Sequence, residues 1–211
     1  TNPAAKILER DRNDYKFKLY GNIYVQYQIT DGLKFKTTLG GDYSHTKRDR
    51  WQGIKASRNG VAATRLDLSN LKRLHIVSDN IFSYDKTIGK NDINAVGGFS
   101  VEQWDYEIES ATGIGYTSDL VRTLSAATTI AEATSEEYQQ RLMSYFGRVN
   151  YAYDNKYLLS ISARRDGYSA FGPDSKYGFF PAVSVGWTLS NEDYLRDSKM
   201  INYLKLRASY G

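Results

Sequence analysis

From Tyr15 the chain alternates. The odd positions Tyr15, Phe17, Leu19, Gly21, Ile23, Val25, Tyr27 and Ile29 are apolar or small, and the even positions Lys16, Lys18, Tyr20, Asn22, Tyr24, Gln26 and Gln28 are mainly polar. A period of two held for about 15 residues predicts a strand well beyond the usual globular length of about 5–6. Thr30-Asp31-Gly32 then predicts a tight turn, because glycine takes positive φ without a steric penalty. The return strand carries Leu33, Phe35, Thr37, Leu39, Gly41 and Tyr43 on one face and Lys34, Lys36, Thr38, Gly40 and Asp42 on the other.

Alternation lapses from Ser44 to about Leu71, in a run of Lys, Arg, Asp, Asn and Gly around Trp51 that reads as a long loop. It resumes from Arg73 to Thr87, turns near Gly89-Lys90-Asn91-Asp92, and returns through Ile93, Ala95, Gly97, Phe99 and Val101 to about Ile108. Ser110 to Glu137 reads as a second long loop. Its Thr128-Thr129-Ile130 argues against a stable helix, because β-branched side chains lose rotamer freedom there. Tyr145, Gly147, Val149, Tyr151 and Tyr153 then alternate with Phe146, Arg148, Asn150 and Ala152. After a turn at Asp154-Asn155-Lys156, Tyr157, Leu159, Ile161 and Ala163 alternate with Leu158, Ser160, Ser162 and Arg164. A loop from Asp166 to Lys176 precedes Phe179, Pro181, Val183, Val185, Trp187 and Leu189, which face away from Phe180, Ala182, Ser184, Gly186 and Thr188. A polar connection from Asn191 to Lys199 leads to Leu204, Leu206, Ala208 and Tyr210, set against Lys205, Arg207 and Ser209.

The pattern predicts an all-β fold of about eight long antiparallel strands, with short turns at one end and long loops at the other. A soluble sandwich would need strands of only about six residues and would turn its charged face outward. Here the apolar face is long, and Tyr15, Tyr27, Tyr43, Tyr145, Tyr153, Tyr157, Trp187 and Tyr210 mark its ends. Tyr and Trp combine an apolar ring with a polar tip, so they settle at the headgroup level of a bilayer. The chain therefore reads as a segment of a transmembrane β-barrel. Val149, Leu159, Ile161, Val183, Val185 and Trp187 are expected to face lipid, and Lys16, Lys18, Lys34 and Lys36 the water side near the short turns. The competing reading is that the aromatics fill a soluble core.

Composition agrees. Eighteen Tyr and 17 Gly against 3 Pro suit strands with aromatic anchors better than packed helices. The net charge of +4 comes from 28 basic and 24 acidic residues without a block of like charge, which favours a mixed solvated surface over a nucleic-acid site. No run approaches the ~18 apolar residues of a membrane helix. That leaves a barrel open, because a barrel strand shows lipid only every second side chain. Thr1-Asn2-Pro3 carries no signal pattern, and Ala208-Ser209-Tyr210-Gly211 breaks off inside an alternating run, so both ends are expected to be cuts.

Candidate chemistry is sparse. The absence of Cys excludes a disulfide framework, a thiolate metal site and a Cys nucleophile. His45 and His75, one on the first expected loop and one near an expected strand start, lack metal-ligand spacing. Gly113-Ile114-Gly115 lacks the strand-to-helix setting of a dinucleotide loop, and no Gly-x-Ser-x-Gly occurs. Asp166 to Asp174 superficially looks like a calcium loop but misses the twelve-residue spacing and its closing Glu. Neither an enzyme nor a cofactor is expected.

The runs SYFGRVNYAY (Ser144 to Tyr153), KYLLSISARRDGYSAFGPDSKYGFFPAVSVGWTLSNEDYL (Lys156 to Leu195) and INYLKLRASYG (Ile201 to Gly211) strongly resemble the SusC/RagA family of Bacteroidota outer-membrane transporters. NPAA (Asn2 to Ala5) and DGLKFKTTLGGDYS (Asp31 to Ser44) look like family segments in the expected order. The resemblance implies a TonB-dependent transporter barrel of about 22 strands when complete, blocked by a plug domain. Residues 1–211 would be part of its wall, with the plug, the TonB-contacting segment and the other strands absent from this chain. It further implies the outer membrane of a Gram-negative bacterium, a SusD-like surface lipoprotein as lid, energy drawn through TonB, and import of oligosaccharides or peptides. A siderophore or cobalamin receptor shares the architecture, but the matching motifs are SusC-like. A soluble carbohydrate-binding β-sandwich is the alternative from another class. Sugars offer hydroxyls and weakly apolar ring faces, so Trp51, Trp104, Tyr168 and Phe171, placed on loops or outer strand ends, are the candidate ligand contacts.

Overall fold

The computed structural model describes residues 4, 7, 10–56, 60–172, 176–195 and 200–211. Eight strands follow one another: β1 (Arg10–Thr30), β2 (Leu33–Gln52), β3 (Arg65–Ile88), β4 (Asn91–Ile114), β5 (Thr129–Tyr153), β6 (Tyr157–Tyr168), β7 (Tyr177–Thr188) and β8 (Lys205–Tyr210). They form one sheet in chain order, so each strand pairs with its sequence neighbours. The ladders β5–β6, β6–β7 and β7–β8 are antiparallel.

Turn chemistry sets the hairpins. Gly32 has φ +83°, and a Cβ there would lie 2.4 Å from the Asp85 carbonyl oxygen, so both conformation and close approach require glycine. The Asp85 N–H donates to the Gly32 carbonyl over 3.0 Å. At the β5–β6 turn Asp154 and Asn155 take φ 53° and 54°, the positive values a type I′ hairpin demands of its central residues. The Lys156 N–H closes this turn onto the Tyr153 carbonyl over 2.9 Å.

The strands run further than alternation predicts. Much of residues 44–71 is strand rather than loop, since β2 continues to Gln52 and β3 begins at Arg65. Likewise β4 continues to Ile114 and β5 begins at Thr129, leaving only residues 115–128 between them. Alternation reports a one-sided apolar environment, whereas backbone pairing needs only a neighbouring strand. In these extensions polar side chains join across the ladder instead: the Thr112 hydroxyl donates to Asp67 over 2.7 Å and the Ser110 hydroxyl to Ser69 over 3.2 Å. His45 and His75 accordingly lie within β2 and β3 rather than on a loop or near a strand start. The β7–β8 connection, residues 189–204, departs from the short-turn rule, because Thr188 and Lys205 pair at the hairpin end of their strands.

The chain divides into two compact units: Thr1–Gly21, Gly41–His75 and Trp104–Gln139 in the first, and Asn22–Gly40, Ile76–Gln103 and Gln140–Gly211 in the second. Among the described residues, every buried apolar side chain belongs to the first unit. There Trp51, Leu66 and Tyr116 pack together, with Leu68, Leu124, Ala126 and Ala127 against them. Thr64, fully buried, locks residues 60–64 to the connection 115–128. Its hydroxyl donates to the Val61 carbonyl over 2.6 Å and accepts the Tyr116 N–H over 2.6 Å. Among the described residues the second unit has no such core.

Candidate functional site

Two surfaces stand out. In the second unit the register aligns Val149, Ile161, Val183 and Tyr210 in one row, then Tyr151, Leu159, Val185 and Ala208, then Tyr153, Tyr157, Trp187 and Leu206. Period two puts these rows on one face, with Asn150, Ser160, Ser184 and Ser209 on the other. The apolar side chains are open: Leu159 is 37% exposed, Val183 41%, Val149 47%, and Ile161 and Val185 52% each. They do not converge on a dry centre. An uncovered apolar face of this extent marks a surface that meets something apolar. On β5 it runs from Tyr145 to Tyr153, nine residues, within the ~9–11 that a tilted strand uses to cross hydrocarbon. On the apolar face of β2 and β3, where Phe35 and Phe82 meet at 4.7 Å, the Thr37 hydroxyl donates to Asn80 Oδ1 over 2.9 Å, and Asn80 Nδ2 donates to Ser78 over 3.4 Å.

Aromatic rings bound the face. At the hairpin end Tyr153 stacks near Tyr157 at 6.5 Å, and Tyr157 near Trp187 at 6.3 Å. Glu192 ties down their polar tips, its Oε1 accepting from Tyr157 Oη over 2.7 Å and Trp187 Nε1 over 3.0 Å, and its Oε2 accepting from Lys156 Nζ over 3.2 Å. The Trp187 and Tyr157 donors hold the Glu192 carboxyl below the usual carboxylate range, and the Glu192 hydrogen bond holds the Lys156 ammonium above the usual lysine value. At the other end Tyr145 sits opposite Arg165, whose guanidinium lies 4.6 Å over the Tyr177 ring.

The polar face of this unit is a hydrogen-bonded floor. Asn150 donates to Asn94 over 3.1 Å, Asn94 bonds Asp85, and Arg164 donates to Ser144 over 3.0 Å. A groove of about 950 Å³ lies here, lined by Asp85, Asn94, Asn150, Ser160 and Arg207 among others. Lys36 Nζ rests 4.6 Å over the Tyr24 ring, both at even positions of their strands.

The second surface is in the first unit. His75 Nδ1–H donates to Asp42 Oδ1 over 3.1 Å, and the ring stacks on Trp104 at 4.9 Å with an interplanar angle of 1°. Arg73 ion-pairs with Asp42 at 3.6 Å, and Tyr106 stacks on Tyr138 at 4.5 Å and 12°. Of the candidates read from sequence, only Trp104 belongs to this group, and it lies inside β4 rather than at a loop or strand end. Trp51 does not serve as an exposed contact. It is 4% exposed, edge-on to Tyr116 at 4.7 Å and covered by Arg122 at 5.4 Å, because its indole closes the buried cluster. Tyr168 ends β6 and meets Phe171 edge-on at 5.2 Å, with Phe171 56% exposed. Pro173 and Asp174 of the calcium-like stretch, and Asn2, Pro3 and Ala5, lie outside the described residues. Among the described residues no group of three or more His, Asp or Glu could hold a metal ion. Sequence reasoning missed His75, Asp42, Tyr106 and Tyr138. The available signal was Trp104 and Tyr106, two apart on a period-two strand.

Residues 2–211 match the family described as TonB dependent receptor-like, beta-barrel. The chain belongs to that family. It is 31% identical to the TonB-dependent receptor P3 of Formosa agariphila, over 96% of this chain and 20% of that protein. It is 30% identical to the TonB-dependent receptor SusC of Bacteroides thetaiotaomicron, over 100% of this chain and 21% of that protein. The chain thus spans about a fifth of the length of the curated relatives it matches. The fold is similar to the solved RagAB peptide importer in its open-open state, with a TM-score of 0.88 and 20% identity over 96% of this chain and 22% of that one. The sheet is therefore a segment of a TonB-dependent receptor barrel, as its alternation and its SusC/RagA-like runs predict.

Proposed function

We propose that this chain forms part of the wall of an outer-membrane importer in a Gram-negative bacterium of the Bacteroidota, taking up oligosaccharides or peptides. In this reading Val149, Leu159, Ile161, Val183, Val185 and Trp187 meet lipid, and the polar face lines the water-filled lumen. The observation that carries it is the uncovered apolar face of β5 to β8, bounded by aromatic rows and backed by Ser, Asn and Arg. A strand bundle with such a face is stable only where hydrocarbon replaces the missing core. A soluble sandwich would bury these rows. TonB would act through a part outside this chain, and a SusD-like lipoprotein would cover the loop end. Passage needs binding and gating rather than bond chemistry, so no catalytic role is assigned.

The test is fractionation and transport with the full-length receptor in a Bacteroidota host. It should partition with the outer membrane, require detergent for extraction, and take up labelled oligosaccharide or peptide only while the proton-motive force is intact. Recovery as a monodisperse protein in plain buffer would end the barrel reading. Uptake unaffected by an uncoupler would end the energised-importer reading.

A further inference from the structure

We propose that Trp104, Tyr106 and Tyr138, with His75, Asp42 and Arg73, form a subsite for a neutral saccharide; this rests on the importer reading above. The six residues share one face of four consecutive strands. Asp42 on β2 holds Arg73 and His75 on β3, His75 stacks on Trp104 of β4, and Tyr106 of β4 stacks on Tyr138 of β5. Trp104 and Tyr106 are two apart in one strand and so point the same way.

Packing does not explain these rings. The buried cluster of this unit is built from Trp51, Leu66 and Tyr116, and the strip is not part of it. Tyr138 is 45% exposed, and Trp104 and Tyr106 are partly exposed. Lipid does not explain them either. The opposite face of the same strand segments carries Lys72 bonded to Glu107 and Gln139 bonded to Asp105, which hydrocarbon would not accept. Stacked rings left open to water on a polar face are matched to a ligand with flat apolar patches and a polar edge.

A pyranose has this character, with C–H groups on its faces and hydroxyls around its rim. The aromatic rings take the faces, and the Asp42 carboxylate and Arg73 guanidinium supply acceptors and donors for adjacent hydroxyls. That pair is neutral as a whole, which favours an uncharged sugar. An extended peptide recognised through its backbone needs an open strand edge. Strands β2 to β5 are interior strands, each paired on both sides, and offer none here.

The experiment is calorimetric titration of the full-length receptor in detergent with malto-, cello-, manno- and xylohexaose, and separately with a tryptic digest of casein. Wild type should bind at least one hexaose. Trp104→Ala and Tyr138→Ala should each weaken it by roughly tenfold or more, and Trp104→Phe should restore most of the loss. Heat-modifiable gel mobility shows which variants are folded, and Tyr138→Ala at its exposed position decides the matter if Trp104→Ala does not fold. The subsite is overturned if wild type binds none of the four hexaoses, if folded alanine variants bind them as wild type does, or if only casein peptides lose affinity. Energised uptake of peptides without hexaose binding would overturn the subsite and leave the importer standing. Hexaose binding that depends on Trp104, with no energised uptake of either class, would uphold the subsite and remove the importer.

Discussion

Trp187 and Glu192 are joined across the end of β7, the indole Nε1–H donating to Glu192 Oε1 over 3.0 Å. Because Tyr157 donates to the same oxygen, one carboxylate fixes the tips of two rings at the rim of the apolar face. Its pKa is lowered by these donors, so its contribution to stability is present above the ordinary carboxylate value. It is lost as pH falls through the depressed value of the folded state. Acid titration of the refolded receptor, read by indole fluorescence, should show a rim transition below the ordinary carboxylate range. Glu192→Gln should remove that transition; its persistence in the variant would assign it to another group.

The facing of β5 to β8 is testable by charge. Val185→Arg or Val149→Arg should cost about 2–4 kcal/mol if near the bilayer midplane, and Ser160→Arg on the opposite face clearly less. Equilibrium refolding into lipid vesicles measures both. Equal penalties would reject the assigned faces.

Two adjacent glycines in β4 should respond differently. A Cβ on Gly98 would lie 2.2 Å from the Asn80 carbonyl oxygen, a backbone atom that cannot swing aside. At Gly97 the nearest atom, the Phe146 carbonyl oxygen, is 3.7 Å away. Gly98→Ala should therefore destabilise by roughly 1–3 kcal/mol, the scale of overpacking, while Gly97→Ala stays near neutral. Similar losses at both, measured by urea unfolding from vesicles, would contradict the close approach.

The Thr37–Asn80 hydrogen bond lies on the apolar face. Asn80→Ala should cost about 0.6–1.7 kcal/mol, the range for polar pairs in membranes. Adding Thr37→Val should then cost little or restore stability, since no hydroxyl is left without its partner. A double-mutant cycle in vesicles checks this, and strictly additive losses would mean the bond is not formed there.

How much was legible depended on whether a signal was local. The facing of Val149, Leu159, Ile161, Val183 and Val185 follows from neighbours two apart, and the turns at Gly32 and Asp154-Asn155 from residues that accept positive φ. Residues 44–52 and 129–137 escaped because polar side chains occupy both faces, so a paired strand there leaves no period to read.

The order of side chains along the chain by itself determined the all-β class, the hairpin positions and which face is apolar, because each depends on residues one or two apart. Register across strands is a property of the assembled sheet. Only that register brought Tyr138 beside Tyr106 and Asp42 beside His75, and only the closing of Thr64 and Tyr116 onto each other buried Trp51, so the candidate site was decided by tertiary structure.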